Sequence, residues 1–163
     1  MEIRVYTNSE ELPQLDCSNF FHSQELFWMI EHTPRMSPCM AIAQDESGKV
    51  YGQILAIIRH RFTFLPFHLF DHARIYGEGT YDNNTTFNDK SQLFSDLINT
   101  LVKHLKAHGC RHIEISHISK KMFGYKALRK QRFFPVPWTQ IHNSLHSKQP
   151  EERAEDKTLY RIA

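Results

Sequence analysis

No apolar run in this 163-residue chain approaches the roughly 20 residues a membrane-spanning helix needs, so a transmembrane helix is excluded. No basic-then-apolar leader opens it either. MEIRVYTNSEEL is acidic and polar, and a cytoplasmic location is expected. Cysteine is scarce: Cys17, Cys39 and Cys110 stand far apart without C-x-x-C spacing, which argues against a disulfide framework or a zinc knuckle. Cys39 lies in an apolar run and reads as a small buried hydrophobe. The 11 histidines include no His-Glu-x-x-His. His68 and His72 fall in or near an expected strand, where i and i+4 are far apart, and His112 lies beyond the helix that carries His104 and His108. No metal is therefore expected. No nucleophile elbow accompanies any serine or cysteine, so Ser–His or Cys–His catalysis is not expected. Internal repeats and low-complexity segments are absent as well.

What is present is the composition of a globular protein, 40% apolar and 23% charged, with length for one domain and a real core. The net charge of +2 hides an asymmetry. Residues 1–58 carry eight acids against three bases, whereas residues 103–146 carry nine Lys/Arg against the single acid Glu114. This gives either a positive face for an anionic partner or a solvated basic surface balanced by the acidic half.

The apolar pattern orders the chain as β-α-β-β-β-α-β-α-β. Residues 2–6 alternate as an edge strand. Ser23 caps a helix with Leu26, Phe27 and Ile30 inward, and Pro34 follows its end. Cys39–Gln44 and Val50–His60 form a hairpin around Asp45-Glu46-Ser47-Gly48-Lys49. In its second strand Val50, Ile54, Ala56 and Ile58 share one face, and Tyr51, Leu55 and Ile57 the other. A strand apolar on both faces calls for helices on both sides of the sheet. A further strand spans Phe70–Tyr76 and ends at Gly77-Glu78-Gly79, and Tyr81–Asn88 reads as a polar loop. The clearest helix carries Leu93, Phe94, Leu97, Ile98, Leu101, Val102 and Leu105, with Asn88 or Asp89 as cap and Gly109 as stop. A strand over His112–Ile118, a short helix over Tyr125–Arg132 and a last strand over Pro137–Leu145 follow. The domain covers residues 1–146, and a charged tail residues 147–163.

This order, with its early hairpin, long central helix and the segment KALRKQRFFPVPW, resembles the GNAT acyltransferase fold: α/β (α+β), with a mixed, mainly antiparallel sheet flanked by helices on both faces. There a late helix leads through a phenylalanine into the last strand, as Phe133 and Phe134 do here. The stretch FFHSQELFWMIEHTPRMSPCMAIAQDESGKVYGQIL is similar to the N-terminal half of FemAB-type aminoacyltransferases, the peptidoglycan-bridge enzymes, and their bacterial relatives. A weaker likeness runs through RIYGEGTYDNN and HIEISHISKKMFGYKALRKQRFF, and EERAEDKTLYRIA resembles the lead-in to that family's second GNAT-like domain. The resemblance implies an N-terminal substrate-recognition domain of an N-acyl or aminoacyl transferase. Its partners would be aminoacyl-tRNA or a nucleotide-linked muropeptide, with a second domain in cis.

Acetyl-CoA-using members of the fold hold the pyrophosphate on a glycine-rich Gln/Arg-x-x-Gly-x-Gly/Ala turn before the central helix. Here the turn reads Asn83-Asn84-Thr85-Thr86-Phe87-Asn88-Asp89, without glycine and with an acid at the helix start. No coenzyme A cofactor is therefore expected. Two family features are also missing: a phosphate-binding lysine in the first helix, where Trp28, Met29 and Ile30 stand, and an Arg-Phe-Asp run, matched by Ser116-His117-Ile118. Catalytic residues stay unassigned. The substrate-binding candidates are Arg59 and Arg61, with His60 between them, at a strand end, Tyr76, Glu78 and Tyr81 around two glycines, and His117. Lys120, Lys121, Lys126, Arg129 and Lys130, with Arg132, are candidates for tRNA phosphates, with Phe123 or Tyr125 for base stacking. The alternatives to a transferase domain are a non-catalytic module docking an anionic partner, and a stand-alone acetyltransferase disfavoured by the missing turn.

Overall fold

A computed structural model describes residues 1–15, 18–60, 71–116 and 124–136. Cys17, Arg61, His68, His117, Lys120, Lys121, Phe123, the expected strand over 137–145 and the tail lie outside the described residues.

The early segment forms as its pattern requires. β1 (Glu2–Tyr6) pairs antiparallel with β2 (Met36–Gln44), which pairs antiparallel with β3 (Val50–Arg59). Gly48 takes φ +84° in the connecting turn, and Asp45 accepts from the amides of Ser47 and Lys49. Before the hairpin, the Ser23 side chain accepts from the Leu26 amide at 3.2 Å and starts α1 (Gln24–Glu31). Phe27 and Ile30 are buried.

β2 and β3 bury both faces. Cys39, Ala41, Ala43, Ile54 and Ala56 join one core, and Met40, Ile42 and Leu55 join the other with Phe27 and Ile30. Strict alternation fails at one place. A register shift pairs Ala43 with Gly52 but Gln44 with Val50, leaving Tyr51 as the extra residue. Tyr51 therefore packs with Ile54 and Ala56, and Val50 with Leu55, the reverse of the sequence expectation. A bulge inserts one residue and swaps the faces beyond it.

β4 (His72–Tyr76) pairs antiparallel with β3, and so does β5 (Thr80–Tyr81), a strand where the sequence predicts only loop. α2 (Phe87–Ala107) then crosses the sheet and buries the seven apolar residues expected of it. Its cap is Thr86 rather than Asn88 or Asp89. The Thr86 hydroxyl oxygen accepts from the Asp89 amide at 3.3 Å, and its O–H donates to the Asp89 carboxylate at 2.6 Å. Gly109, at φ +84°, closes the other end, with Gly109 donating to the Lys106 carbonyl and Cys110 to that of Leu105. This is the paired-bond stop that a left-handed glycine permits. β6 (His112–Ser116) runs parallel to β4, and the order is β1-β2-β3-β4-β6 with β5 also on β3.

α3 (Tyr125–Lys130) packs Ala127 and Leu128 against α2. Gly124 makes that approach possible, since a Cβ there would collide with the Phe94 ring. Phe133 packs against the same core, while Phe134 is exposed. No described helix is long and apolar enough to cross a membrane.

Candidate functional site at an interrupted strand

Between β4 and β5 the partner of β3 breaks. Ile75 pairs with Ala56, the next pair is Thr80 with Gln53, and Gly77-Glu78-Gly79 bows out between them. Gly77 and Gly79 take φ +82° and +90°. A Cβ on Gly79 would lie 2.7 Å from Ile54 and 2.8 Å from the Gln53 carbonyl, so only glycine fits. The glycines flagged in the sequence are thus structural necessities of the interruption.

Opposite the gap, the Leu55 amide donates to His22 Nδ1 at 3.0 Å instead of into a strand ladder. The Gln53 side-chain amide donates to the His22 carbonyl. His22 is wholly buried, and burial pushes its pKa down to about 4, opposed in part by the Tyr76 backbone carbonyl. The ring is therefore neutral near pH 7 and carries its proton on Nε2, because Nδ1 accepts. That Nε2 has the Tyr76 carbonyl near it, though not in full hydrogen-bonding geometry, and among the described residues the buried Thr80 Oγ1 and Ser116 Oγ make no hydrogen bond. All three belong to segments that frame the interruption: His22 bonds Leu55, Thr80 pairs with Gln53, and Ser116 pairs with Tyr76. A buried polar group without a partner costs about 1–3 kcal/mol, so such groups flanking the interruption call for an explanation.

The rim is aromatic. Phe21 stacks on Tyr76 at 5.2 Å, with Phe20 edge-on to Phe21, and both phenylalanines are about half exposed. The Arg74 guanidinium lies 5.7 Å from the Tyr76 ring centre and binds the Glu114 carboxylate at 2.9 Å. Tyr81 donates to the Glu78 carbonyl at 2.6 Å, and burial pushes its pKa up.

Tyr76, Glu78 and Tyr81 therefore all flank the interruption beside the C-terminal ends of β4 and β6, but from opposite faces of the sheet: Tyr76 stacks on Phe21, whereas Tyr81 packs into the core on the α2 side. Arg59 does not join them. It pairs with His72 at the opposite end of β4, about 13 Å away at ~3.3 Å per residue, and is exposed. Lys126, Arg129 and Lys130 project from α3 as an exposed basic face.

The turn before α2 is closed by its own acids. Asp82 accepts from the Asn84 amide at 2.9 Å and pairs with Lys49 at 2.9 Å. Asp89 stands in the first helical turn, where a carboxylate opposes a bound phosphate. A candidate ligand set for a cation is His72, His112 and Glu114, whose donor atoms all lie within 4.8 Å of one another. The Glu114 carboxylate is already held by Arg74 at 2.9 Å and faces His72 at 3.3 Å, and a neighbouring guanidinium repels a metal cation. His104 and His108 stack at 4.1 Å on the last turn of α2, separate in the sequence order of elements from His112 on β6.

Sequence reasoning missed His22, Thr80 and Ser116, since each owes its place to strand register rather than to a motif. It named His60 only as a strand-end base and missed Ser37 and Asp71, which meet it in a cleft at the other end of the sheet.

No protein-family model and no curated protein sequence matches the chain. Solved structures do. A mutant of the BH1408 protein from Bacillus halodurans superposes with a TM-score of 0.54 at 11% identity, over 89% of this chain and 100% of that one. TTHA1254 from Thermus thermophilus gives 0.51 at 14% identity, over 91% and 100%. A probable acetyltransferase gives 0.51 at 9% identity, over 77% and 78%. None of these likenesses singles out the FemAB-type branch, and at such identities they establish architecture alone: the chain has the α/β fold of the GNAT-like acyltransferases.

Proposed function

We propose that the chain is an acyl-transfer domain of the GNAT-like class that receives its acyl substrate at the interrupted strand, with the substrate-recognition role of a FemAB-type N-terminal domain. The observation that carries this reading is the glycine-built gap at the ends of β4 and β6, framed by the buried Thr80 Oγ1 and Ser116 Oγ, which make no hydrogen bond among the described residues. In the parallel part of a sheet, ligands favour the carboxyl ends of the strands. In this reading Glu78, in the bowed-out segment, takes the proton from an attacking amine, the aromatic rim supplies apolar contact, and the chemistry needs positioning more than a covalent intermediate.

The donor we propose is an aminoacyl-tRNA or a nucleotide-linked muropeptide rather than coenzyme A. The support is Asp82 and Asp89 at the start of α2, in a turn without glycine. Thermal unfolding with acetyl-CoA, a nucleotide-linked muropeptide and aminoacyl-tRNA tests this. A ligand at about a hundred times its Kd stabilises by about 2.7 kcal/mol, which for this size raises the midpoint by about 5 °C or more. We expect that shift with the muropeptide or the charged tRNA and none with acetyl-CoA. A shift with acetyl-CoA alone overturns the donor assignment, and silence from all three overturns the transferase reading. The exposed basic face of α3 favours a second reading, a module that docks nucleic acid without catalysis. An equal, salt-dependent shift with uncharged tRNA would select it.

A further inference from the structure

At the end of the sheet remote from the interrupted strand, three residues far apart in sequence form one relay. Ser37 lies near the start of β2, His60 just past β3, and Asp71 just before β4. Antiparallel register brings them together, because Arg59 pairs with Met36 on one side and with His72 on the other. Ser37 Oγ lies 2.8 Å from His60 Nε2, and His60 Nδ1 lies 2.7 Å from the Asp71 carboxylate. The Asp71 carboxylate is almost wholly buried, at 6% exposure, and the His60 ring is 22% exposed.

These contacts settle the tautomer. A carboxylate only accepts, so the His60 proton sits on Nδ1 and points at Asp71. Nε2 then offers a lone pair, and the Ser37 hydroxyl donates to it. That is the protonation pattern in which an imidazole removes a serine proton. The serine is also reachable. Ser37, His60 and Asp71 line a cleft of about 370 Å³, together with the apolar side chains of Met36, Pro38 and Ile58. Pro38 lies beyond Tyr6–Met40, the last pair with β1, so the Ser37 segment of β2 no longer has β1 beside it. The Cys110 thiol donates to the Asp71 carbonyl at 3.4 Å and ties the acid's backbone to the far end of α2.

We propose that Ser37, His60 and Asp71 form a second, esterase-type site that cleaves small carboxylic esters. His60 Nε2 takes the hydroxyl proton as Ser37 Oγ bonds to the ester carbonyl carbon. The tetrahedral adduct expels the alkoxide, which leaves as the alcohol with the proton from His60, and Ser37 is left acylated. Water repeats the sequence: His60 takes its proton, the hydroxyl bonds to the acyl carbon, and Ser37 Oγ departs with that proton. The net reaction is ester plus water to acid plus alcohol, with no other reactant. Asp71 is a positioning residue, since it acts through the imidazole. The site does not depend on the acyl-transfer reading, because its residues lie at the other end of β4.

The full chain, treated with an alkyl fluorophosphonate and digested, is expected to carry the phosphonyl group on Ser37, with fluoride released. Hydrolysis of p-nitrophenyl acetate is expected to fall at least a hundred-fold in Ser37→Ala. In Asp71→Asn, which favours the wrong tautomer, labelling of Ser37 slows at least ten-fold. Far-UV circular dichroism accompanies each variant. Ser37→Cys gives a readout that survives a misfolded alanine variant: beside His60 the introduced thiol reacts with iodoacetamide faster than the native thiols, of which Cys39 and Cys110 are buried. Absence of label on Ser37 in the folded wild type overturns the proposal. So does equal hydrolysis by wild type and Ser37→Ala, or an introduced thiol no faster than the native ones.

Discussion

An imidazole buried away from water, with one nitrogen accepting from a strand amide, resists protonation, as His22 does. Its folded pKa of about 4 lies below the ordinary 6.5. The unfolded chain therefore binds a proton first as pH falls. Stability from this group is complete above pH 6.5 and drains away as pH drops towards 4. The ceiling is about 3–4 kcal/mol, at ~1.4 kcal/mol per pKa unit. Urea midpoints of wild type and His22→Gln, compared across that window, are expected to converge as pH falls. Two curves that stay parallel would reject this account. At this scale the sequence was only partly readable. Tyr76, Glu78 and Tyr81 could be placed beside an irregular loop because two glycines after a strand announce one. His22 could not, because its partner Leu55 lies on another element. For the same reason His60 read as a strand-end base, although its neighbours Ser37 and Asp71 give it a different role.

Among the elements, α2 was the most legible, since seven apolar residues at helical spacing and a terminal glycine specify it without tertiary help. Its start was read two or three residues late, because Asn88 and Asp89 are both good cap types. Thr86 wins by bonding Asp89 through both amide and carboxylate. Thr86→Ala is accordingly expected to cost about 1 kcal/mol, read as a lower urea midpoint. Asp89→Asn would cost less, since its amide can still donate and its side chain can still accept. The hairpin was legible in extent but not in phase. A period-two reading holds only while register holds, and the extra residue Tyr51 reverses it at one end. β5 has two residues, too few for any pattern to show, and exists only because β3 offers it a partner.

Across the whole molecule, one sheet separates two apolar layers, α2 and α3 on one side and α1 on the other. Adjacent residues of β2, Ala41 and Ile42, belong to different layers, so neither layer can loosen without disturbing the same strands. Leu97→Ala in one layer and Ile42→Ala in the other are each expected to destabilise by about 2–5 kcal/mol. Both should shift a single unfolding transition with an unchanged slope against denaturant. A biphasic curve for either would show that the layers unfold separately. This two-sided plan was readable early, because β2 and β3 are apolar on both faces.

Among the described strands, β4 and β6 alone run parallel. The sheet is mechanically uneven as a result: β1 to β5 form an antiparallel plate, and β6 hangs beside it on the far end of α2. Slanted parallel bonds hold slightly less per residue than antiparallel ones, so the plate has a seam. Tyr76 and Ser116 face each other across that seam, and a ligand gripping both would act as a rivet that stiffens the joint.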